Sequence, residues 1–324
     1  MSLFNRRTAM AALGLTASMV FAPMTAFAAD DPIRLVIPYG GGGLIDGLVR
    51  EMADTMSAEL GQPVVIENKP GSNGIIGAAY VAAAKPDGLT YLVGATGPLS
   101  LNVLLRKNLP FSMESFEPVG TMFTGPLTIA VPTKMGVDSI EGLKAWGESG
   151  KPLRYAMLGP GSVTHLFGMV LQDVLGTELV PVAYKANPEM IIDQIGGQVE
   201  LNFATPISLI KHVESGDLRI IAISTDKRMD QYPDLPSVTE LGYPQLVSSF
   251  WFGLVAPAGT PQDEKDRVAA ALQKAVSVES LQQKMINAGM TPEVGGSDAM
   301  KAQLDWDVDF WGGVISKNNI SLDD

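Results

Sequence analysis

Residues 38–47 read Pro-Tyr-Gly-Gly-Gly-Gly-Leu-Ile-Asp-Gly and follow directly on an apolar run at 33–37. A glycine loop between a strand and a helix aims unpaired N–H groups and the positive helix end at one spot, which is an anion site. Glycine also lets an oxyanion approach the backbone without a Cβ in the way. The candidates in this loop are Tyr39, Gly41, Gly42, Gly43, Ile45 and Asp46, with Asp46, in the first turn of the following helix, placed to cap N–H groups or order the loop rather than to meet an anion. Two similar loops follow, residues 70–77 with Ser72 and Asn73, and residues 94–102 with Thr96 and Ser100. A fourth at 158–165 offers Gly161, Ser162, Thr164 and His165, and a strand end at Tyr184-Lys185 supplies a phenol and a cation.

Other chemistries are excluded by the same reading. Ser162 and His165 are a hydroxyl and an imidazole three residues apart, but no acid is placed to orient the histidine and no G-x-S-x-G surrounds the serine. The chain has two histidines, His165 and His212, and no cysteine, so thiol chemistry is absent and a metal site is not expected. The glycine loop lacks G-x-G-x-x-G spacing and no Walker lysine follows it, so no nucleotide cofactor is expected. The net charge of −12 argues against nucleic acid or an anionic membrane as partner.

The elements that must position these loops alternate in type. Asn5-Arg6-Arg7, an apolar run at 9–21 and the small residues of Thr25-Ala26-Phe27-Ala28 read as a secretory signal peptide over 1–28. No later stretch approaches the roughly 20 apolar residues of a membrane span, so the mature chain is expected to be exported and not membrane-inserted. Strands are predicted at 33–38, 63–67 and 90–93, with helices at 44–60 and 77–84 between them. A second series runs through strands at 127–131, 153–157, 179–182, 199–203 and 219–224, with helices beginning at Ser139, 164–175 and 188–195. A strand at 252–256 returns to the first series, followed by helices at 262–276 and 280–288 and an amphipathic end carrying Trp306, Phe310 and Trp311 as a buried stripe. This is an α/β pattern of mainly parallel sheets flanked by helices, in two lobes: 29–126 with 250–324, and 127–249.

Four ordered blocks carry a resemblance that one loop alone would not. PIRLVIPYGGGGLIDGLVREM, LGQPVVIENKPGSNGIIGAAYVAAAKPDGLTYLVG, VAYKANPEMIIDQIGGQVELNF and WFGLVAPAGTP together resemble the Bug family of extracytoplasmic solute receptors, the tripartite tricarboxylate transporter receptor class. The resemblance implies a two-lobed Venus-flytrap protein of the periplasm that encloses a small carboxylate and delivers it to a membrane permease. It implies no cofactor and no catalysis.

Departures from the family pattern bear on the ligand. Ile45 stands where threonine is frequent, Ile75 replaces a frequent asparagine, and Leu158 and Val163 stand where two serines are often found. Ala204-Thr205 stands where amino-acid-binding members use an aspartate. An unpaired buried ammonium costs several kcal/mol, so an α-amino acid is disfavoured. The expected ligand has an apolar middle and one or two carboxylates, an aromatic acid or a diacid such as terephthalate. The competing readings are an exported enzyme on a carboxylated or ester substrate, and a receptor that signals to a membrane partner.

Overall fold

The computed structural model describes residues 31–322; the expected signal peptide lies outside them. The apolar run forms β1 (Ile33–Ile37), and the glycine loop leads into α1 (Leu44–Leu60). Gly61 ends that helix at φ 64°, a left-handed turn that glycine adopts without a Cβ penalty. Leu48, Val49, Met52 and Met56 form the buried stripe of α1, each contributing about 1.5–3 kcal/mol through burial of its side chain. Then come β2 (Val64–Asn68), α2 (Ile75–Ala82) and β3 (Thr90–Ala95). A helical segment at Thr96–Leu101 runs straight into α3 (Asn102–Leu105).

β4 (Phe116–Pro126) follows, and a single residue, Leu127, separates it from β5 (Thr128–Pro132). The next elements are α4 (Ile140–Glu148), β6 (Arg154–Met157), α5 (Val163–Leu175), β7 (Val180–Ala183) and α6 (Asn187–Gly196). After α7 (Pro206–Glu214) and β8 (Leu218–Ile223) the chain returns through β9 (Ser249–Pro257). It closes with α8 (Gln262–Val276), α9 (Glu279–Asn287), the two-residue β10 (Thr291–Pro292) and α10 (Ser297–Lys317).

Strand order in the large sheet is β10-β4-β9-β3-β1-β2. The sheet is mixed rather than mainly parallel: β1 pairs parallel with β2 and β3, whereas β9 runs antiparallel to both β3 and β4, and β10 antiparallel to β4. The reason is connectivity. β4 leads out of this sheet and β9 leads back, so the two lie side by side in opposite directions.

β4 was hidden from sequence reading by Pro118, Gly120, Gly125 and Pro126, which ordinarily break strands. Two register shifts, at 118/120 and 121/123, accommodate them. Gly120 and Gly125 are there for space: a Cβ would meet the Gly295 carbonyl at 2.8 Å and the Phe250 ring at 2.1 Å. The strand expected at 199–203 is reduced to two isolated bridges, Ala130 with Asn202 and Tyr155 with Leu201. Those bridges connect the β5-β8 pair to the β6-β7 pair. α7 also escaped the sequence reading, although Pro206 opens it at the position where a missing N–H costs nothing.

One core packs α1, α8 and α9 on the large sheet, and a second on its other face includes Trp251 and Met300. A third surrounds β5, β6 and α5. α10 serves both sides, giving Met300 to the second core and Trp311 and Ile315 to the third. Trp311 is buried as expected, but Trp306 is 38 % exposed and stacks on Phe310 at 4.6 Å. The stripe turns outward there because 306 and 310 share a helix face that 311 does not.

Candidate ligand cleft

The glycine loop is closed on the chain's own carboxylate. Gly42, at φ +85°, donates its N–H to Asp46 Oδ2 at 2.9 Å. Arg50 Nε and Nη2 donate to the two Asp46 oxygens at 2.9 and 3.1 Å, and Asn68 Nδ2 donates to Oδ1 at 2.9 Å. The bonds from Arg50, Gly42 and Asn68, in that order, hold the Asp46 carboxyl well below the usual aspartate range. Asn68 also donates to the Tyr39 carbonyl at 3.2 Å, and a Cβ on Gly41 would meet its Oδ1 at 3.1 Å. Gly43 is the N-cap of α1, and Ile45 packs against the main core.

A cleft of about 240 Å³ opens where β4 passes to β5 and β9 returns. Its apolar floor comes from Leu127, Phe203, Phe250, Trp251 and Phe252, with Ala95 and Ala204 beside them. Leu158 and Val163, two of the apolar replacements singled out in the sequence, are in its wall. None of the lining residues is charged. Lys185 is exposed and outside it.

The polar groups sit at helix starts. Thr96 and Gly97 open the segment that continues as α3; Ser162, Val163 and Thr164 open α5; Asn187 opens α6; and Thr205 is the N-cap of α7. First-turn N–H groups lack intrahelical partners and carry the positive end of the dipole. Four such ends around one cleft favour an anion without any cationic side chain.

Tyr39 and Asn73 complete this polar rim. Tyr39 meets Phe252 edge-on at 6.0 Å, and burial raises its phenol pKa, so it is a neutral donor. Asn73 adopts φ 51°, ψ 38°, an uncommon left-handed conformation for a non-glycine residue. Asn102, 1 % exposed, fixes it by donating Nδ2 to the Asn73 carbonyl at 3.0 Å. A Cβ on Gly97 would lie 3.4 Å from Asn73 Nδ2, which also donates to Asn102 Oδ1 at 3.4 Å, and 3.6 Å from the Tyr39 hydroxyl, so this glycine keeps an amide donor and a phenol donor within reach of one ligand group.

On the opposite wall, Ser162 Oγ accepts the His165 backbone N–H at 3.2 Å and lies 3.0 Å from Thr164 Oγ1. Thr164 Oγ1 in turn accepts the Leu158 N–H at 3.0 Å. The His165 ring turns away and accepts the Gly161 N–H on Nδ1 at 3.2 Å. Burial lowers its pKa, so the imidazole is neutral and serves the loop backbone. Thr205 Oγ1 pairs with Ser208 Oγ at 2.9 Å.

Of the residues expected to bind ligand, the cleft brings together Tyr39, Asn73, Thr96, Ser162, Thr164, Ala204 and Thr205. Its walls do not include Gly41, Gly42, Gly43, Ile45, Asp46, Ser72, Ser100, Gly161, His165 or Tyr184. Ser72, at φ 49°, shapes the turn before Asn73. Ser100 is fully buried on the side of α10, and the Tyr184 hydroxyl donates to Asp193 Oδ2 at 2.9 Å. Asn187 and Phe250 were not singled out in the sequence. Asn187 was signalled by the Asn-Pro pair that starts a helix.

A mixed α/β fold with an uncharged cleft walled by helix N-termini defines a binding protein for small anions. The sequence profile described as tripartite tricarboxylate transporter family receptor matches residues 48–320, and the chain belongs to that family. Its members are solute-binding proteins rather than enzymes. The chain is similar to BugT of Bordetella pertussis, 29 % identical over 295 residues and 90 % of each chain. Among solved structures it resembles the periplasmic binding protein BugD, at 30 % identity and TM-score 0.74, covering 90 % of this chain and 98 % of that one. It also resembles Rpa4515 of R. palustris, solved with adipate, at 28 % identity and TM-score 0.77, with coverage of 90 and 98 %. MatC of Rhodopseudomonas palustris, solved with malate, is 25 % identical at TM-score 0.74, with coverage of 88 and 98 %. Among the described residues no helix is long and apolar enough to cross a membrane.

Proposed function

We propose that this receptor works in the periplasm, captures a carboxylate with an apolar body, and hands it to a tripartite tricarboxylate-type permease. An aromatic acid or a diacid such as terephthalate is the favoured ligand. The observation that carries this reading is the cleft's composition: neutral donors at four helix N-termini around a floor of Phe203, Phe250, Trp251 and Phe252. The donors suit a carboxylate, and burying a ring against that floor contributes a few kcal/mol at about 25 cal/mol per Å². Adipate in Rpa4515 has the same chemistry of acid ends and apolar middle, whereas malate in MatC is more polar. Leu158, Val163 and Ala204 in these walls favour the first kind.

The polar rim draws Tyr39, Asn73, Thr96 and Gly97 from one stretch of chain, and Ser162, Thr164, Asn187 and Thr205 from another. We assign these to two lobes, 29–126 with 250–324 and 127–249, that close on the ligand by hinging at Leu127 and the start of β9. The ligand must favour the closed form to drive that motion.

Thermal-shift screening of the ligand-free protein tests the reading, because binding to the native state raises the melting temperature by mass action. Terephthalate, benzoate and adipate should each give a larger shift than citrate or glutamate. A largest shift with citrate or glutamate contradicts the ligand assignment.

A further inference from the structure

Asp307 lies midway along α10 and is fully buried. Its Oδ2 accepts the indole N–H of Trp251 at 2.7 Å, and its Oδ1 accepts the side-chain amide of Gln303 at 3.2 Å. Ser100 Oγ and Trp311 Nε1, buried and without a hydrogen-bond partner in good geometry, are the other polar groups beside the carboxylate. Among the described residues the groups that act on this carboxylate are those of Ser100, Trp251, Gln303 and Trp311, none of them a cation. Glu293 is the other titratable group on this side: it lines a cavity of about 130 Å³ with Gln303 and Trp251, accepts from Thr124 Oγ1 at 3.4 Å, and has its carboxyl pKa raised by burial.

A buried carboxylate without a cation is costly, and an apolar residue would serve these cores better. What distinguishes Asp307 is where its partners lead. Trp251 forms part of the cleft floor, and its backbone N–H donates to Thr96 Oγ1, in the cleft wall, at 3.0 Å. Ser100 lies on the same helical segment as Thr96 and Gly97. One carboxylate thus faces two cleft-forming segments from behind, on a helix whose Met300 packs in the core of Trp251 and whose Trp311 packs in another.

We propose that Asp307 is a positioning residue for ligand binding, which fixes the cleft wall of Trp251 and Thr96 through the Trp251 indole and so sets the affinity for a carboxylate it does not touch. The proposal rests on the carboxylate-receptor reading above. Burial, opposed by the surrounding donors, pushes the Asp307 pKa up to about 6, so the anchor changes charge within an accessible pH range.

Two substitutions test it. Asp307→Leu removes the acceptor, whereas Asp307→Asn keeps an oxygen in its place without the charge. In the ligand-free protein, hydrogen exchange of the Trp251 amide should accelerate about tenfold in D307L and stay near wild type in D307N. Tryptophan emission should titrate between about pH 5 and 7 in the wild type and lose most of that change in D307N, the remainder belonging to Glu293. With terephthalate and adipate as probes, affinity should fall about tenfold in D307L and at most about threefold in D307N. Unchanged Trp251 exchange in a folded D307L overturns the proposal. If D307L does not fold, D307N decides: emission that still titrates with the wild-type amplitude overturns it, and loss of most of that amplitude supports it. Exchange and emission are read without ligand, so failure of the wild type to bind either acid refutes the carboxylate reading while these readouts still decide the role of Asp307.

Discussion

Asp46 accepts the N–H of Gly42 at 2.9 Å, so the loop that most resembles an anion site already holds an anion of its own. Arg50 and Asn68 complete that carboxylate's partners and order the entry to α1 without ligand. Asp46→Ala should therefore lower the melting temperature by about 2–4 °C at pH 7. The folded pKa of Asp46 is depressed, so its contribution is present above the ordinary aspartate range and is lost as pH falls toward the folded value. Scanning calorimetry should show the gap between wild type and D46A narrowing below about pH 4. An undiminished gap at pH 3 contradicts this assignment.

Asp307 has the opposite sign. Its folded pKa, about 6, lies above the unfolded value, so the ionised form is disfavoured in the native state and stability rises as pH falls through 6. Asp307→Asn removes that penalty. In urea denaturation D307N should be more stable than wild type at pH 8 by on the order of 2 kcal/mol, and the difference should vanish below about pH 4. A D307N that is less stable at pH 8 than at pH 4, relative to wild type, reverses the argument.

Tyr39 offers its hydroxyl to the cleft beside Asn73 and Gly97. A hydrogen bond to a charged acceptor contributes about 1.5–3 kcal/mol, so Tyr39→Phe should weaken carboxylate binding by about tenfold or more. The Phe252 edge contact survives in this variant, and isothermal titration should show the loss with little change in melting temperature. Equal affinity would remove Tyr39 from the rim.

Leu158 is 44 % exposed and borders the same cleft as Ser162 and Thr164. Leu158→Ser should shift preference toward hydroxylated acids: the ratio of terephthalate to citrate affinity should fall about fivefold or more, as one apolar contact is lost and one donor gained. Competition titration measures that ratio directly, and no change in it would make Leu158 a packing residue only.

Much of this arrangement was legible in the sequence because it depends on local rules. The helix over 44–60, its Gly61 stop and the Ser139 cap follow from periodicity and backbone chemistry, and all are present. The place of Tyr39, Asn73, Thr96, Ser162 and Thr164 beside the cleft was legible because loops at strand ends carry donors, whereas Ala204 and Thr205 were singled out by the resemblance, at the position where amino-acid-binding members use an aspartate. The long strand β4 was not, since Pro118, Gly120 and Gly125 satisfy tertiary demands of bulges and neighbouring rings. The partition of loop amides was legible only in part: Asp46 was read as a residue that caps N–H groups or orders the loop, but nothing local singles out Gly42 as its donor or Gly97 as the glycine that faces the cleft. Asp307 looks like one more acid on a surface helix until the fold places Trp251 and Ser100 against it.

The central claim, that uncharged helix-start donors hold a carboxylate over an aromatic floor, meets its most direct test in calorimetric titration of terephthalate against its neutral diamide. The two share a ring and differ in charge, so the apolar contribution is common to both. The account predicts that the diacid binds tighter by at least about a hundredfold, the loss expected when charge-assisted bonds at both ends become neutral ones. Equal affinity for the two compounds would contradict it.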